Sequence, residues 1–383
     1  MKILHTADWH LGRYLHGVSL LEDQIHVLAQ FVSLARQEKV DVVVIAGDVY
    51  DRSVPPADAV AVLDDVLAQL VADAGIPVIL IAGNHDSAER LGFGGRILEK
   101  QRLILRGSLD DLSMVVLSDE YGDVAFHPLP YVEPIFARAL PGGEDVGDHQ
   151  SAMTHVVSLL NAQRQAGRRN ILVGHAFVAG GSESESERPL SVGGSGMVVA
   201  DTFAGFDFIA LGHLHRPQTV GSDRIHYAGS LLKYSFNEAE HTKSVSLVEI
   251  GTDGTPTIRY LELTPLRDVR IITGTLAELL ANPDPDRSRE DYLCAHLTDT
   301  EPVLDPMARL REVYPNILEL QFARPASGNS AAHAGGDHRS RQPEDLFRAF
   351  YRDMLGQEVG EAALAVFNTT ANTVAGNREE SAS

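Results

Sequence analysis

Cysteine is almost missing. Cys294 is the only one in 383 residues, so no intramolecular disulfide and no multi-cysteine zinc site can form, which fits a reducing compartment. A buried apolar role is the plain reading of Cys294. Positive charge is short as well: 32 Lys and Arg face 53 Asp and Glu, a net charge of −21 that argues against gripping nucleic acid by bulk charge alone. Any phosphate site therefore has to be locally positive. Long apolar runs are absent, since those near Val42–Ala46 and Val78–Ala82 fall far short of the roughly 20 residues that span a bilayer. Between Lys2 and His5 lie only two apolar residues, too few for the core of a signal peptide. The chain is expected in the cytoplasm.

With 44% hydrophobic and 22% charged residues the chain can bury a substantial core, and its length predicts two domains at roughly 100–200 residues each. Short β-branched runs, Lys2–Ala7, Val40–Ala46, Pro77–Ala82, Asn170–Val173 and Phe206–Leu211, read as strands covered on both faces. Helical stretches Leu20–Glu38 and Ala57–Ala74 separate the first three, with Pro55-Pro56 opening the second and Gly75-Ile76-Pro77 closing it. That alternation is α/β. Strands over Arg224–Ser230, Ser244–Gly251 and Thr257–Leu263 lean toward antiparallel sheet and carry the domain to residue 265. Strands Val269–Thr273, Tyr292–Leu297 and Ile317–Phe322 with helices Leu276–Ala281 and Pro306–Val313 make a small α+β domain over 266–324. Residues 325–342, including His333 and His338, read as a flexible linker. In the final segment, 343–383, Leu346, Phe347, Phe350, Tyr351, Met354 and Leu355 form an apolar stripe that either meets a partner or folds back on its own domain.

Five polar clusters fall at predicted strand ends: Asp8-Trp9-His10, Gly47-Asp48-Val49-Tyr50-Asp51, Gly83-Asn84-His85-Asp86, Gly174-His175 and Gly212-His213-Leu214-His215. Clusters beyond the carboxyl ends of strands in an open α/β sheet can converge on one crevice. Asp8 and His10 are two apart, as are His213 and His215, so each pair points to one side if the extended conformation persists. Asn84 and His85, being adjacent, point apart, which leaves one of them free for acid–base work. Asp8, His10, Asp48, Asn84, His175, His213 and His215 are too many ligands for one ion. Imidazole, carboxylate and amide together suit manganese or a similar transition ion better than magnesium alone. Shared between two ions about 3.5–4 Å apart, with Asp48 as bridge, they match a two-metal clamp for phosphoester hydrolysis. Two divalent ions against two carboxylates leave the loaded site net positive. His85 could then protonate the leaving oxygen or stabilise developing charge. Chance placement of five of the 16 histidines at such ends is the competing account, and it explains less.

These residues carry a resemblance. DWH at 8–10, GDVYD at 47–51, GNHDS at 83–87, VGH at 173–175 and GHLH at 212–215 resemble, in order and interval, the five motifs of the calcineurin-like metallophosphoesterases. Longer blocks, DWHLGR at 8–13, SERPLSVGG at 186–194, GHLHRPQ at 212–218 and YAGSLLKYSFNE at 227–238, are similar to the double-strand-break repair nucleases of that superfamily. The resemblance implies a four-layer α/β sandwich, two mixed β-sheets flanked by helices, followed by a small α+β capping domain and a tethered C-terminal helical segment. It assigns Asp8, His10, Asp48 and His215 to one metal and Asp48, Asn84, His175 and His213 to the other, with His85 as the catalytic histidine that is not a ligand. Asp51 stands where archaeal and eukaryotic relatives carry a histidine, so that histidine's role does not transfer. Also implied are Mn2+, with Mg2+ possible, exonuclease and endonuclease cleavage of DNA in repair and recombination, and a coiled-coil ATPase partner. A homodimer joined to two ATPase subunits is the implied assembly, and the stripe at 346–355 falls where such a partner docks.

Two other functions stay open at this point. One is a metallophosphatase or phosphodiesterase on a substrate other than DNA, suggested by Gly47–Arg52, which resembles a phosphatase signature, but disfavoured by Ser53 and Asp86. The other is a scaffold with a vestigial centre that holds an ATPase near DNA. Arg102, Arg106, Arg168 and Arg169 are weak candidates for phosphate contact, with solvated surface the plainer reading. The serine- and glutamate-rich stretch Gly180–Arg188 reads as a solvated loop or a substrate-facing one, and Trp9 either stacks on a base or packs internally.

Overall fold

The structure, a computed structural model, describes residues 1–165, 167–187, 196–281, 288–322, 343–355 and 357–380. The linker expected over 325–342 lies outside the described residues. The chain divides into two units, residues 1–271 with 290–292, and residues 272–289 with 293–383. Among the described residues no helix is long and apolar enough to cross a membrane.

The first unit is built on two mixed six-stranded sheets. Strand Lys2–Thr6 runs parallel to Val42–Ala46 with Ile3 opposite Val42, and antiparallel to Ser244–Ile250 with Leu4 opposite Leu247. Val78–Ile81 and Leu103–Arg106 extend this sheet on one side and Pro256–Glu262 closes it on the other. The second sheet runs in the order Gln218–Val220, Ser222–Tyr227, Phe208–Gly212, Arg169–His175, Gly122–Leu129, Val115–Asp119.

Alternate residues of a strand face opposite sides, and both sides are apolar here. Ile3, Val42, Val44, Ile79 and Ile81 meet Phe126, Ile171, Val173, Phe208 and Ala210 in one core between the sheets. On the second sheet's outer face, Leu172, Ile209, Leu211 and Tyr227 join Met153, Val156, Val157 and Leu160 of helix His149–Gln163. A capping box starts that helix, Asp148 accepting from Ser151 N and Ser151 Oγ from Asp148 N. Leu4, Val43, Ile45 and Leu80 of the first sheet are also buried, as are Val27, Leu28 and Phe31 of helix Leu21–Gln37 and Leu63 and Val66 of helix Ala57–Leu67. The second of these was expected to run to Ala74; it widens into a π-turn over Ala68–Asp73 before Gly75, at φ +68°, ends it.

The second unit has its own core of Leu276, Leu293, Ala295, Leu297, Leu310, Tyr314 and Ile317. Its sheet orders Val269–Gly274, Tyr292–Leu297 and Ile317–Phe322, the last two parallel. Cys294 is fully buried in it. Further on, helix Pro343–Leu355 meets helix Glu361–Glu380 through Phe347 stacked on Phe367 at 4.1 Å, while Phe350 stays 60% exposed.

Two arginines weighed as phosphate contacts are structural. Arg106 is buried and pairs with Glu99 at 3.0 Å, and Arg169 is buried with its guanidinium 2.6 Å from Asp119. Arg168 pairs with Asp123 at 3.1 Å. The Arg169 hydrogen bond holds the Asp119 carboxyl well below its ordinary range. A carboxylate depressed by folding stabilises above its unfolded pKa of about 3.9 and loses that contribution as pH falls through the lower folded value. Replacing Asp119 with Asn strands a buried guanidinium and is expected to cost about 3–5 kcal/mol in urea unfolding at pH 7, with the difference shrinking below about pH 4.

Candidate metal centre

Strands of both sheets end at one place, and their last turns are bent by force. Asp8, His10, Asp48 and His213 all have positive φ, at 54°, 46°, 49° and 112°. For side-chain-bearing residues that is uncommon backbone, and its clustering is typical of functional sites. Two glycines allow the close approach: a Cβ on Gly47 would stand 2.5 Å from His175 Nδ1, and one on Gly83 would stand 2.2 Å from Asp48 Oδ1.

The result is a buried knot of imidazoles and carboxylates. Asp48 Oδ2 lies 3.7 Å from His10 Nε2, 3.5 Å from His175 Nε2 and 4.0 Å from His85 Nε2. His10 Nε2 faces His215 Nε2 at 3.1 Å. Asn84 Oδ1 is 2.9 Å from His175 Nε2, and the His213 ring is 5.5 Å from the His175 ring. Asp8 accepts the His213 amide at 2.9 Å and sits 4.0 Å from His175 Nδ1. All seven expected ligands and His85 thus come together from five separate segments. Among the described residues three sets lie close enough to hold an ion: Asp8, His10 and His215; Asp8, Asp48 and His175; and His10, Asp51 and His85. The last brings in Asp51, whose Oδ1 is 3.8 Å from His10 Nδ1.

The donor set fits divalent metal. His175 Nδ1–H donates to the Ala46 carbonyl at 2.9 Å, so in the neutral ring the Nε2 lone pair faces the oxygens of Asn84 and Asp48. His10 Nδ1 is buried with no hydrogen-bond partner. A buried lone pair without a partner is costly, and a cation would satisfy it. Burial, with His175 adding to it, lowers His213 to about 3, and burial lowers His215 to about 4, so both are neutral and able to ligate at pH 7. Burial also acts on His175, but Asp48 and Asp8 override it and raise that ring to about 9. Burial would raise Asp48, yet His175, His10 and His85 hold it well below the carboxylate range; Asp8, where burial outweighs His175, is raised.

His85 stands apart from the others. Its Nδ1–H donates to the Asp51 carbonyl at 2.8 Å, its amide donates to Asp48 Oδ1 at 2.9 Å, and its side chain is 12% exposed where those of His10, His175 and His215 are at 1% or less. Its Nε2 is therefore aimed at the centre from the solvent side.

Several supporting residues were given no role by the sequence. Asp86 accepts the amides of Val49, Tyr50 and Gly83 at 2.9–3.1 Å and ties two ligand loops together; burial raises it to about 6. Gln24 donates to the Trp9 and His10 carbonyls and accepts from Gly12, while Tyr234 also donates to Trp9 O. Arg13 pairs with Asp51 at 3.2 Å and lies over the Tyr234 ring at 5.0 Å. The loop read as solvated turns inward: Ser186 and Glu187 are buried against His215. Its last residue, Arg188, lies outside the described residues. Trp9 is fully buried, its indole N–H on Thr6 Oγ1 and its ring edge-on to Phe31, so it cannot stack on a base.

Two sheets between helices with histidine, aspartate and asparagine gathered at their strand ends define a metallophosphoesterase. The profile of the calcineurin-like phosphoesterases matches residues 1–217, and that of the type 5 capsule protein repressor C-terminal domain matches residues 265–354. The SbcD subunit of nuclease SbcCD from Staphylococcus saprophyticus is 37% identical over 359 residues, covering 94% of both chains. The protein of the same name from Staphylococcus epidermidis is 32% identical, covering 94% of this chain and 95% of its own. A dimetal phosphatase from Danio rerio, 14% identical, aligns over 69% of this chain and 98% of its own with a TM-score of 0.39, a distance at which the likeness decides nothing. The chain belongs to the calcineurin-like phosphoesterases, in the branch of the SbcD nuclease subunits.

The tight seat of Asp48 is open to a direct check. Replacing Gly83 with Ala drives a methyl group into the Asp48 carboxylate and backbone. It is expected to cost about 1–3 kcal/mol in thermal unfolding of the metal-free protein; an unchanged midpoint would contradict the close approach.

Proposed function

We propose that the protein is a metal-dependent DNA nuclease that hydrolyses phosphodiester bonds at a two-metal centre, as an exonuclease on double-strand ends and an endonuclease on single strands and hairpins. One observation carries this reading: a single oxygen, Asp48 Oδ2, lies within 4.0 Å of nitrogens from His10, His175 and His85. Asp48 would be the shared ligand. Asp8, His10 and His215 would hold one ion with it, and Asn84, His175 and His213 the other. The ions are proposed to be Mn2+, with Mg2+ as a substitute.

When bound, such ions acidify a water and polarise the phosphoryl group. The chain's own residues do the rest. Asp48 and Asp8 would supply two negative charges and the histidines would ligate as neutral rings, so the loaded site would be net positive and draw in a phosphate. His85, fixed through Nδ1–H to Asp51 O, presents Nε2 to the entering phosphodiester and, when protonated on both nitrogens, can give the Nε2 proton to the leaving oxygen. Asp86 and Gln24 keep the ligand loops in register while this happens.

DNA as substrate is supported by the relatives named as SbcD subunits of nuclease SbcCD. The same name supports an SbcC-type coiled-coil ATPase as partner, with this chain a homodimer within a heterotetramer working in cytoplasmic repair and recombination. Residues 1–265 would be the nuclease domain, 266–324 the cap and 343–383 the partner-binding segment. Exposed Phe350 fits that last role, whereas Phe347 is occupied by its stack on Phe367.

Offered Mn2+ with linear duplex DNA and, separately, a phosphopeptide, the protein is expected to degrade the DNA and to lose all activity in EDTA. Preferential turnover of the peptide would replace the nuclease by a phosphatase, and no turnover of either would favour a scaffold. Replacing His85 with Gln is expected to leave Mn2+ binding near the wild-type level while cleavage falls by about 10²–10⁴. Full residual cleavage would remove His85 from the mechanism.

A further inference from the structure

His215 is held from behind by a chain of groups remote in sequence. Its Nδ1 is 2.6 Å from Ser186 Oγ, and that hydroxyl is hydrogen-bonded to Glu238 Oε1. Glu238 Oε2 lies 2.5 Å from Lys243 Nζ, which also donates to Ser230 Oγ and the His215 carbonyl at 2.8 Å each. Glu187 accepts the His215 amide at 2.6 Å. Ser186, Glu238, Lys243 and His215 are all at least nine-tenths buried, so water does not compete for these bonds.

Proton counting gives the chain a direction. Glu238, paired with Lys243, is an ionised carboxylate and only accepts. Ser186 has one hydroxyl proton, which goes to Glu238, so its oxygen accepts from His215 Nδ1–H. The lone pair of His215 is then on Nε2, the atom 3.1 Å from His10 Nε2. Glu238 cannot do this alone, since its Oε1 is 3.7 Å from His215 Nδ1. The serine bridges that gap.

We propose that Ser186 and Glu238, backed by Lys243, are positioning residues that hold His215 as its Nδ1–H tautomer with Nε2 turned toward His10, and so set the affinity of one metal position. The inference rests on the two-metal reading above and gives the Ser/Glu-rich loop a task. Partners that orient a ligating histidine typically change metal affinity by about 10–100-fold when removed.

The test uses the full chain. In the metal-free protein, long-range ¹H–¹⁵N spectra of labelled histidine, with His215 signals identified by their loss in His215→Asn, should have the Nδ1–H pattern; an Nε2–H pattern overturns the proposal without any change at Ser186. In Mn2+ titrations followed by electron paramagnetic resonance, Ser186→Ala should weaken one site by about 10–100-fold and leave the other, while Ser186→Thr, which keeps the hydroxyl, should restore it. Wild-type affinity at both sites in a folded Ser186→Ala overturns the proposal. Should Ser186→Ala fail to fold, Glu238→Gln and the wild-type tautomer decide. Absence of Mn2+ binding by the wild type would sink the two-metal reading, while the tautomer would still decide the relay.

Discussion

Everything in this protein is organised around one buried carboxylate that two sheets share. Asp48 leaves a strand of the first sheet, while His175 reaches it from the second. Desolvating a carboxylate is costly unless charge or hydrogen bonding answers it. Here His175, His10 and His85 answer it, together with the His85 amide. The two sheets must therefore meet at a fixed distance, and the core between them, from Ile3 to Phe208, sets that distance.

That requirement explains the local strain. Four non-glycine residues at positive φ, three of them in the first sheet's loops, are not what propensity favours. Each is held by bonds that leave little choice: Asp8 N and His10 N donate to the carbonyls of Gly47 and Asp48, so the two loops zip together before any ligand arrives. Asp86 then clamps the third loop onto the second through three amides.

The sequence was readable where chemistry and local structure coincide. Apolar runs ending in Gly, Asp, Asn and His marked both the strands and the candidate ligands, because strand ends are where both are written in adjacent residues. Less was legible between residues 103 and 163. The strand Gly122–Leu129 carries His127 and Pro128 inside the sheet, which blurs its pattern. The helix His149–Gln163 did have a signal, Asp148 with Ser151 and apolar residues at 152, 153, 156, 157 and 160, but no motif drew attention to it. The roles of the supporting residues were hidden for another reason. Ser186 and Glu238 fall inside quoted blocks at 186–194 and 227–238, but their burial is decided by contacts 29 and 52 residues away.

The acidity of the chain, a net −21, at first argues against a polyanionic substrate. The centre resolves the conflict by the way it pairs its cations. Beside the expected ligands, Arg13 is paired with Asp51 at 3.2 Å and Lys243 with Glu238 at 2.5 Å. Each is neutralised by a carboxylate and neither offers free positive charge to a phosphate. On the proposed two-metal reading, ions held beside Asp48 would add positive charge at the centre, so that phosphate binding would be linked to metal loading. A chain that is acidic overall would then draw a phosphate most strongly where those ions sit.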